Sequence, residues 1–324
     1  MRHALPLAFA VVLACTGDAR AQPRTGPAQL DEPSLGRLAS APLDVHEWGV
    51  WRLRAGRVDH LADLARETPA FVHRAASGPP PVTPRPANEN VEIALKPVVF
   101  LHADTPLDVT VTIEMPGGEP WLYFPDAVAG ITEPPAVRTV RWSGRVLPAA
   151  AALPRGVSFP TAAPGHWWNA LRGAGASPFV PTGASLAERF LFYDGPIPFR
   201  ALWEPRAGSV VPARTAARNA NNAAWVLGPQ GASRVASRGQ RVVSRSARDV
   251  GAVRTDLGRA LERAGLTAAE AHSLLTTWDG DLFQSTAPRA VWLVGQRQYD
   301  GMLPIRVEPR PRSIVRVGVV IQML

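Results

Sequence analysis

Leu107-Asp108-Val109-Thr110-Val111-Thr112-Ile113-Glu114-Met115 alternates apolar and polar residues without a break. A period of two sends one set of side chains to a core and the other to water, so this stretch reads as a half-buried β-strand. Upstream, Val91 to Leu101 is more continuously apolar and fits a strand covered on both faces, with Pro97 near a bulge or an edge. Ala103 to Pro106 would turn one strand into the other. Val45-His46-Glu47-Trp48-Gly49-Val50-Trp51-Arg52 reads as the opening strand of the body. Shorter strand candidates follow at 121–124, 137–142, 189–193, 197–203 and 223–227, and then at 290–294, 302–307 and 314–321. Gly and Pro clusters such as Pro116-Gly117-Gly118 and Asp194-Gly195-Pro196 separate them. Each of the 33 prolines fixes φ and removes a backbone donor, which argues against a mainly helical chain. The expectation is a mainly β fold, a sandwich or jelly-roll-like body of many short strands.

One helical unit interrupts the pattern. Ser246-Ala247-Arg248-Asp249 has the form of a capping box, and Val250, Val253, Leu257 and Leu261 follow at helical spacing until Gly265. Thr267-Ala268-Ala269-Glu270 is a second capping box, leading through Leu274 and Leu275 to Trp278. The spacing predicts an αα-hairpin at about 247–278, its apolar stripe packed on a sheet. In Ile314 to Ile321, the residues Val315, Val317, Val319 and Ile321 share one face, so this segment reads as a core strand whose removal would be damaging. Residues 59–71 suit a short helix or a loop, and the prolines of 78–86 a stiff connection.

The first residues have a different grammar. Arg2 and His3 precede an apolar run from Ala4 to Ala14 and the small-x-small site Ala19-Arg20-Ala21. This is the layout of a signal peptide (1–21), followed by a flexible tether (22–43) and a body (44–324). Export to the periplasm or the extracellular space is expected. The alternative reads Val12-Leu13-Ala14-Cys15 as a lipoprotein box with Cys15 lipidated. Cys15 is the only cysteine, so the mature body would hold together without disulfides, and no transmembrane helix is expected in it.

The net charge of +8 is concentrated. Between Arg200 and Arg263 twelve arginines face four acidic residues, an excess equal to the whole net charge. A solvated basic face is the plain reading. The functional one is contact with an anionic envelope polymer or glycan, since export removes the chain from chromosomal DNA and no nucleic-acid partner is expected.

Several blocks resemble a family of uncharacterised exported bacterial proteins: Val45-His46-Glu47-Trp48-Gly49, Phe71-Val72-His73-Arg74, Gly165 to Arg172, Glu188 to Tyr193, the Gly265 to Trp278 hairpin and Leu303-Pro304-Ile305. The departures are Val50-Trp51 in place of a Thr-Phe pair and Trp167-Trp168 in place of tyrosines. The resemblance carries no activity with it.

Candidate chemistry is sparse. There is no His-Glu-x-x-His, no nucleophile elbow, no dinucleotide loop and no complete calcium loop in the sequence. Six histidines follow residue 21: His46, His60, His73, His102, His166 and His272. The plausible metal set is His46, His73 and His166 with Glu47, although His46 and Glu47 are strand neighbours and point to opposite faces. Trp167, Arg172 and Arg74 complete the candidate binding residues, as stacking and anion-gripping groups. Two functions follow: a non-catalytic ligand- or glycan-binding module with these residues in one cleft, or a metal-dependent or carboxylate-based hydrolase in the His46/His73/His166 region.

Overall fold

The computed structural model describes residues 40–53, 68–74, 91–131, 138–199, 202–206, 209–212, 223–229, 231–238 and 241–324. The signal segment with Cys15, most of the tether, His60 and the proline stretch at 78–86 lie outside them. In chain order the strands are β1 (Ala41–Leu53), β2 (His73–Arg74), β3 (Val91–Ala103), β4 (Leu107–Met115), β5 (Leu122–Phe124), β6 (Val128–Ile131), β7 (Arg138–Val146), β8 (Phe179–Pro181) and β9 (Leu191–Pro198). They continue as β10 (Trp203–Arg206), β11 (Ser209–Pro212), β12 (Ala223–Gly228), β13 (Gly231–Arg238), β14 (Arg241–Arg248), β15 (Arg289–Val294), β16 (Ile305–Glu308) and β17 (Pro311–Met323). The helices are α1 (Trp167–Arg172), α2 (Val250–Arg263), α3 (Ala268–Thr277) and α4 (Gln296–Met302), with one π-helical turn at Gly280–Gln284.

Ten strands form one sheet in the order β14-β13-β12-β15-β17-β1-β3-β9-β5-β2. Every pairing in it is antiparallel except β1 with β17. A second sheet runs β16-β4-β7-β6, with β8 on β7, and β10-β11 is a separate ribbon. The fold is mainly β, as the alternation at 107–115 predicts.

β1 shows how the layers are built. Leu43, Val45, Trp51 and Leu53 enter a core shared with Val109, Val111 and Ile113 of β4 and Trp142 of β7. Trp48 and Val50 enter a second core with Trp168 and Leu171 of α1, Leu257 and Leu261 of α2, and Leu274 of α3. The large sheet is therefore covered by the small sheet on one face and by helices on the other. A strand buried on both sides reads as nearly continuous apolar sequence, which is why 45–51 lacks a clean alternation.

The opening strand begins at Ala41, three residues earlier than the expected body boundary, and Ala41 and Leu43 are buried. The hairpin α2–α3 is present, but Asp249 itself is the N-cap of α2, its carboxylate accepting from the Ala252 N–H, while Ser246 lies in β14. The Thr267–Glu270 box is complete. The final strand is longer than expected and lies between β15 and β1. The β13–β14 hairpin has no counterpart in the sequence reading, because its arginines break the apolar pattern.

Candidate metal centre

β1 and β3 run antiparallel with His46 opposite Phe100 and Asp44 opposite His102. That register makes His46 and His102 diagonal neighbours on the helix side of the sheet, with ring centroids 4.9 Å apart. The first turn of α3 brings Glu270 to them. Thr267 caps the helix: its hydroxyl accepts from the Glu270 N–H at 3.2 Å, and its own N–H donates to Glu270 Oε2 at 2.8 Å. Fixed in this way, the carboxylate meets His46 Nδ1 at 2.9 Å and 3.1 Å, and His102 Nε2 at 2.7 Å. The Glu270 side chain has no solvent exposure, whereas those of His46 and His102 keep 12% and 26%, so the group is sealed behind and reachable in front.

Burial by itself would raise the Glu270 pKa. The hydrogen bonds from His102 and His46, the charge of His46 and the Thr267 N–H outweigh it and bring the value down to about 2. Asp44, the cross-strand partner of His102, is a second carboxylate beside the group. Burial opposes its charge, but Arg312 at 2.6 Å and Ser313 at 2.7 Å hold its pKa below the usual range.

The ligand atoms of His46, His102 and Glu270 all lie within 4.8 Å of one another, and among the described residues this is the group of His, Cys, Asp and Glu that meets at metal-ligating distance. Tetrahedral zinc with bonds of ~2.0 to 2.2 Å sets its ligand atoms about 3.4 Å apart, so a small adjustment of the rings admits an ion. Two imidazoles and one carboxylate suit zinc and its transition-metal neighbours better than calcium or magnesium. Each histidine nitrogen that faces Glu270 carries a proton when it donates to the carboxylate, and it must present a lone pair to bind a metal.

Glu47, the next residue after His46, serves the opposite face. It is fully buried between the sheets, with Arg316 Nε at 2.8 Å on Oε2, and with the Tyr299 hydroxyl at 2.8 Å and the Tyr193 hydroxyl on Oε1. Burial, then the charge of Glu47, pushes both tyrosines well above their ordinary pKa. Arg316 also reaches Asp300 at 3.0 Å, and its side chain is wholly buried. Gly49 belongs to the same arrangement: a Cβ there would stand 2.6 Å from the Tyr299 hydroxyl oxygen.

The other expected site residues have separate partners and are not in the metal group. His73 Nε2 contacts Asp126 at 2.6 Å, both side chains being partly open to solvent, while the His73 ring stacks on Tyr123. Arg74 donates to Thr68 and to the Val72 carbonyl. His166 is the N-cap of α1, its Nδ1 accepting from the Trp168 N–H at 3.1 Å. Trp167 is half-buried and packs on Trp168 and Phe192. Arg172 is tied to the buried Glu188 at 2.7 Å, where the Trp168 indole N–H also donates. The contacts of His166, Trp167 and Arg172 cap α1 and hold it against the sheet.

His102 and Glu270 are the functional candidates that sequence reasoning missed. Both carried a signal. His102 directly follows the strand expected at 91–101, and Glu270 is the last residue of a recognised capping box. Their convergence depends on register across separations of 168 and 224 residues, which no local pattern encodes. No protein-family model, curated protein or solved structure matches the chain.

Proposed function

We propose that this is an exported protein that binds a divalent transition metal of the zinc class through His46 Nδ1, His102 Nε2 and one Glu270 oxygen. The observation that carries the reading is the convergence of these three side chains from two strands and a helix cap. Three protein ligands leave a coordination position for water, the arrangement of hydrolytic rather than structural zinc sites. The reading therefore favours a metal-dependent hydrolase over an aromatic glycan-binding module. A stacking surface needs tryptophans facing solvent, and of the ten in the chain nine are buried and Trp167 is half-buried. Of the residues expected to serve a metal, His46 stays in the proposal and His73 and His166 leave it. Membership of the exported family with the His-Glu-Trp-Gly box belongs to the same proposal.

The test is elemental analysis and zinc titration of the protein purified without a histidine tag. One ion per chain is expected in the wild type and in His73→Ala and His166→Ala. His46→Ala, His102→Ala and Glu270→Gln should each lose it while circular dichroism shows the fold retained. Absence of any stoichiometric metal after equilibration with zinc, or its survival in all three ligand variants, would overturn the proposal.

A further inference from the structure

Beside the metal group, one end of the sheet carries a cluster of ion pairs. Ser313, Asp44 and His102 stand abreast on β17, β1 and β3. Cross-strand partners and alternate residues of one strand share a face, so Asp44 lies on the same side of the sheet as both imidazoles. It is close enough to His46 for the imidazole charge to act on it. Its carboxylate accepts from the Ser313 hydroxyl at 2.7 Å and from Arg312 Nη2 at 2.6 Å. Arg312 and Ser313 are neighbours on one strand, and a regular pleat would aim them at opposite faces. Between Ala41 and Asp44 the register with β17 loses step, three steps along β1 matching two along β17, and irregularities of this kind re-aim side chains. On its other side Arg312 donates from Nη1 to Asp104, in the connection from β3 to β4, at 2.6 Å. The two pairs are unequal. The Asp44 side chain is 29% exposed and has Ser313 as a second anchor, whereas Asp104 is 61% exposed and Arg312 44%. An ion pair as open to water as Arg312–Asp104 adds little stability and is readily exchanged.

We propose that Arg312 is the substrate anchor of the metal site, and that the substrate carries a carboxylate which takes the place of Asp104 on the guanidinium while its acyl end faces the ion. This inference rests on the reading of the site as a metal-dependent hydrolase and names its substrate class: a small ester or amide with a terminal carboxylate. Asp104 already shows that this side of the guanidinium receives a carboxylate. Asp44 and Ser313 hold the group from behind, and a guanidinium keeps its charge and its fork geometry at any relevant pH. Two strand spacings of ~4.8 Å put it within about 10 Å of the metal position, the reach of a four- or five-carbon chain. With a divalent ion bound, both imidazoles neutral and Asp104 displaced, the charges of the ion, Arg312, Asp44 and Glu270 leave a single positive charge for the substrate carboxylate to neutralise. A clamp across three strands would account for the ion pairs, but not for leaving the outer one open to solvent next to the accessible side of the imidazoles.

The probes are succinic and glutaric monohydroxamates, which join a metal-binding hydroxamate to a terminal carboxylate, set against butyro- and valerohydroxamate, which end in a methyl group. Affinity for the zinc-loaded protein is measured by isothermal titration calorimetry, with zinc content determined on the same samples. At least one charged probe should bind about tenfold more tightly than its uncharged counterpart. Arg312→Gln should keep its zinc and bring that preference to within about threefold of parity. Asp104→Ala should tighten the charged probe alone by about threefold, the worth of the exposed ion pair that no longer competes. This second variant leaves Arg312 and Asp44 in place and carries the test if Arg312→Gln does not fold. A zinc-loaded wild type without the preference, a preference that survives Arg312→Gln, or no gain in Asp104→Ala would each overturn the anchor and leave the metal site standing. Failure of the wild type to take up zinc would overturn both.

Discussion

Two buried glutamates divide the chemistry of this molecule between the two faces of its central sheet. Glu47 is held by Arg316 and two tyrosines, Glu270 by two histidines and a helix cap. Arginine keeps its proton at any relevant pH and offers no lone pair, so the Glu47 group is fixed in charge and serves to join the two sheets. Imidazole can surrender its proton and ligate a metal, and the two rings at Glu270 are part-exposed. Burial alone therefore does not separate a structural carboxylate from a functional one. The identity and accessibility of its partners do.

Substitutions on the two sides should break this contrast unequally. The largest loss is expected for Arg316→Met, which strands the Glu47 charge between the sheets. Chemical denaturation should register about 3–5 kcal/mol, much of it restored when Glu47→Leu is added. Next comes Glu270. Its folded pKa of about 2 lies below the ordinary 4.5, so its contribution is present above pH ~4.5 and fades as pH falls toward 2. At neutral pH that amounts to roughly 3 kcal/mol. The stability gap between wild type and Glu270→Gln, measured without metal, should shrink over that same window. A gap independent of pH would place the effect in packing instead of charge.

Smaller effects sharpen the comparison. Gly49→Ala should cost about 1–3 kcal/mol, because the added methyl displaces the Tyr299 hydroxyl from Glu47. It should leave metal binding intact, and zinc titration beside a denaturation curve would check both. Thr267→Ala removes the hydroxyl of the cap but keeps the N–H that holds Glu270, so about 1 kcal/mol of stability should go, with zinc affinity falling less than in Glu270→Gln.

Much of this architecture was legible from local pattern. The alternation of β4, the core face of β17 and the second capping box are short-range statements about period and end-capping, and all three are found in the fold. The strand rule that sends His46 and Glu47 to opposite faces also holds. What stayed hidden was pairing. Nothing in residues 41–53 says that β3 and β17 flank them, and without that register His102 cannot be set beside His46. The aromatic block at 166–172 misled for a related reason: exposed and buried tryptophans look alike in sequence. It is the buried Glu188, accepting from Trp168 and Arg172, that ties this segment inward.

The parallel pairing of β1 with β17 has a consequence in time. Eleven residue pairs are registered between Ala41–Pro311 and Leu53–Gln322, with one irregularity between Ala41 and Asp44. These partners sit side by side in the middle of the sheet yet are made some 270 residues apart, so while the ribosome is working the first strand has a bare flank. The ten-stranded sheet is assembled from its centre only when its last strand arrives. Contacts of such long sequence separation make folding slow and leave sticky edges open meanwhile. A chain stopped before residue 311 would keep both wings of the sheet and have nothing to join them.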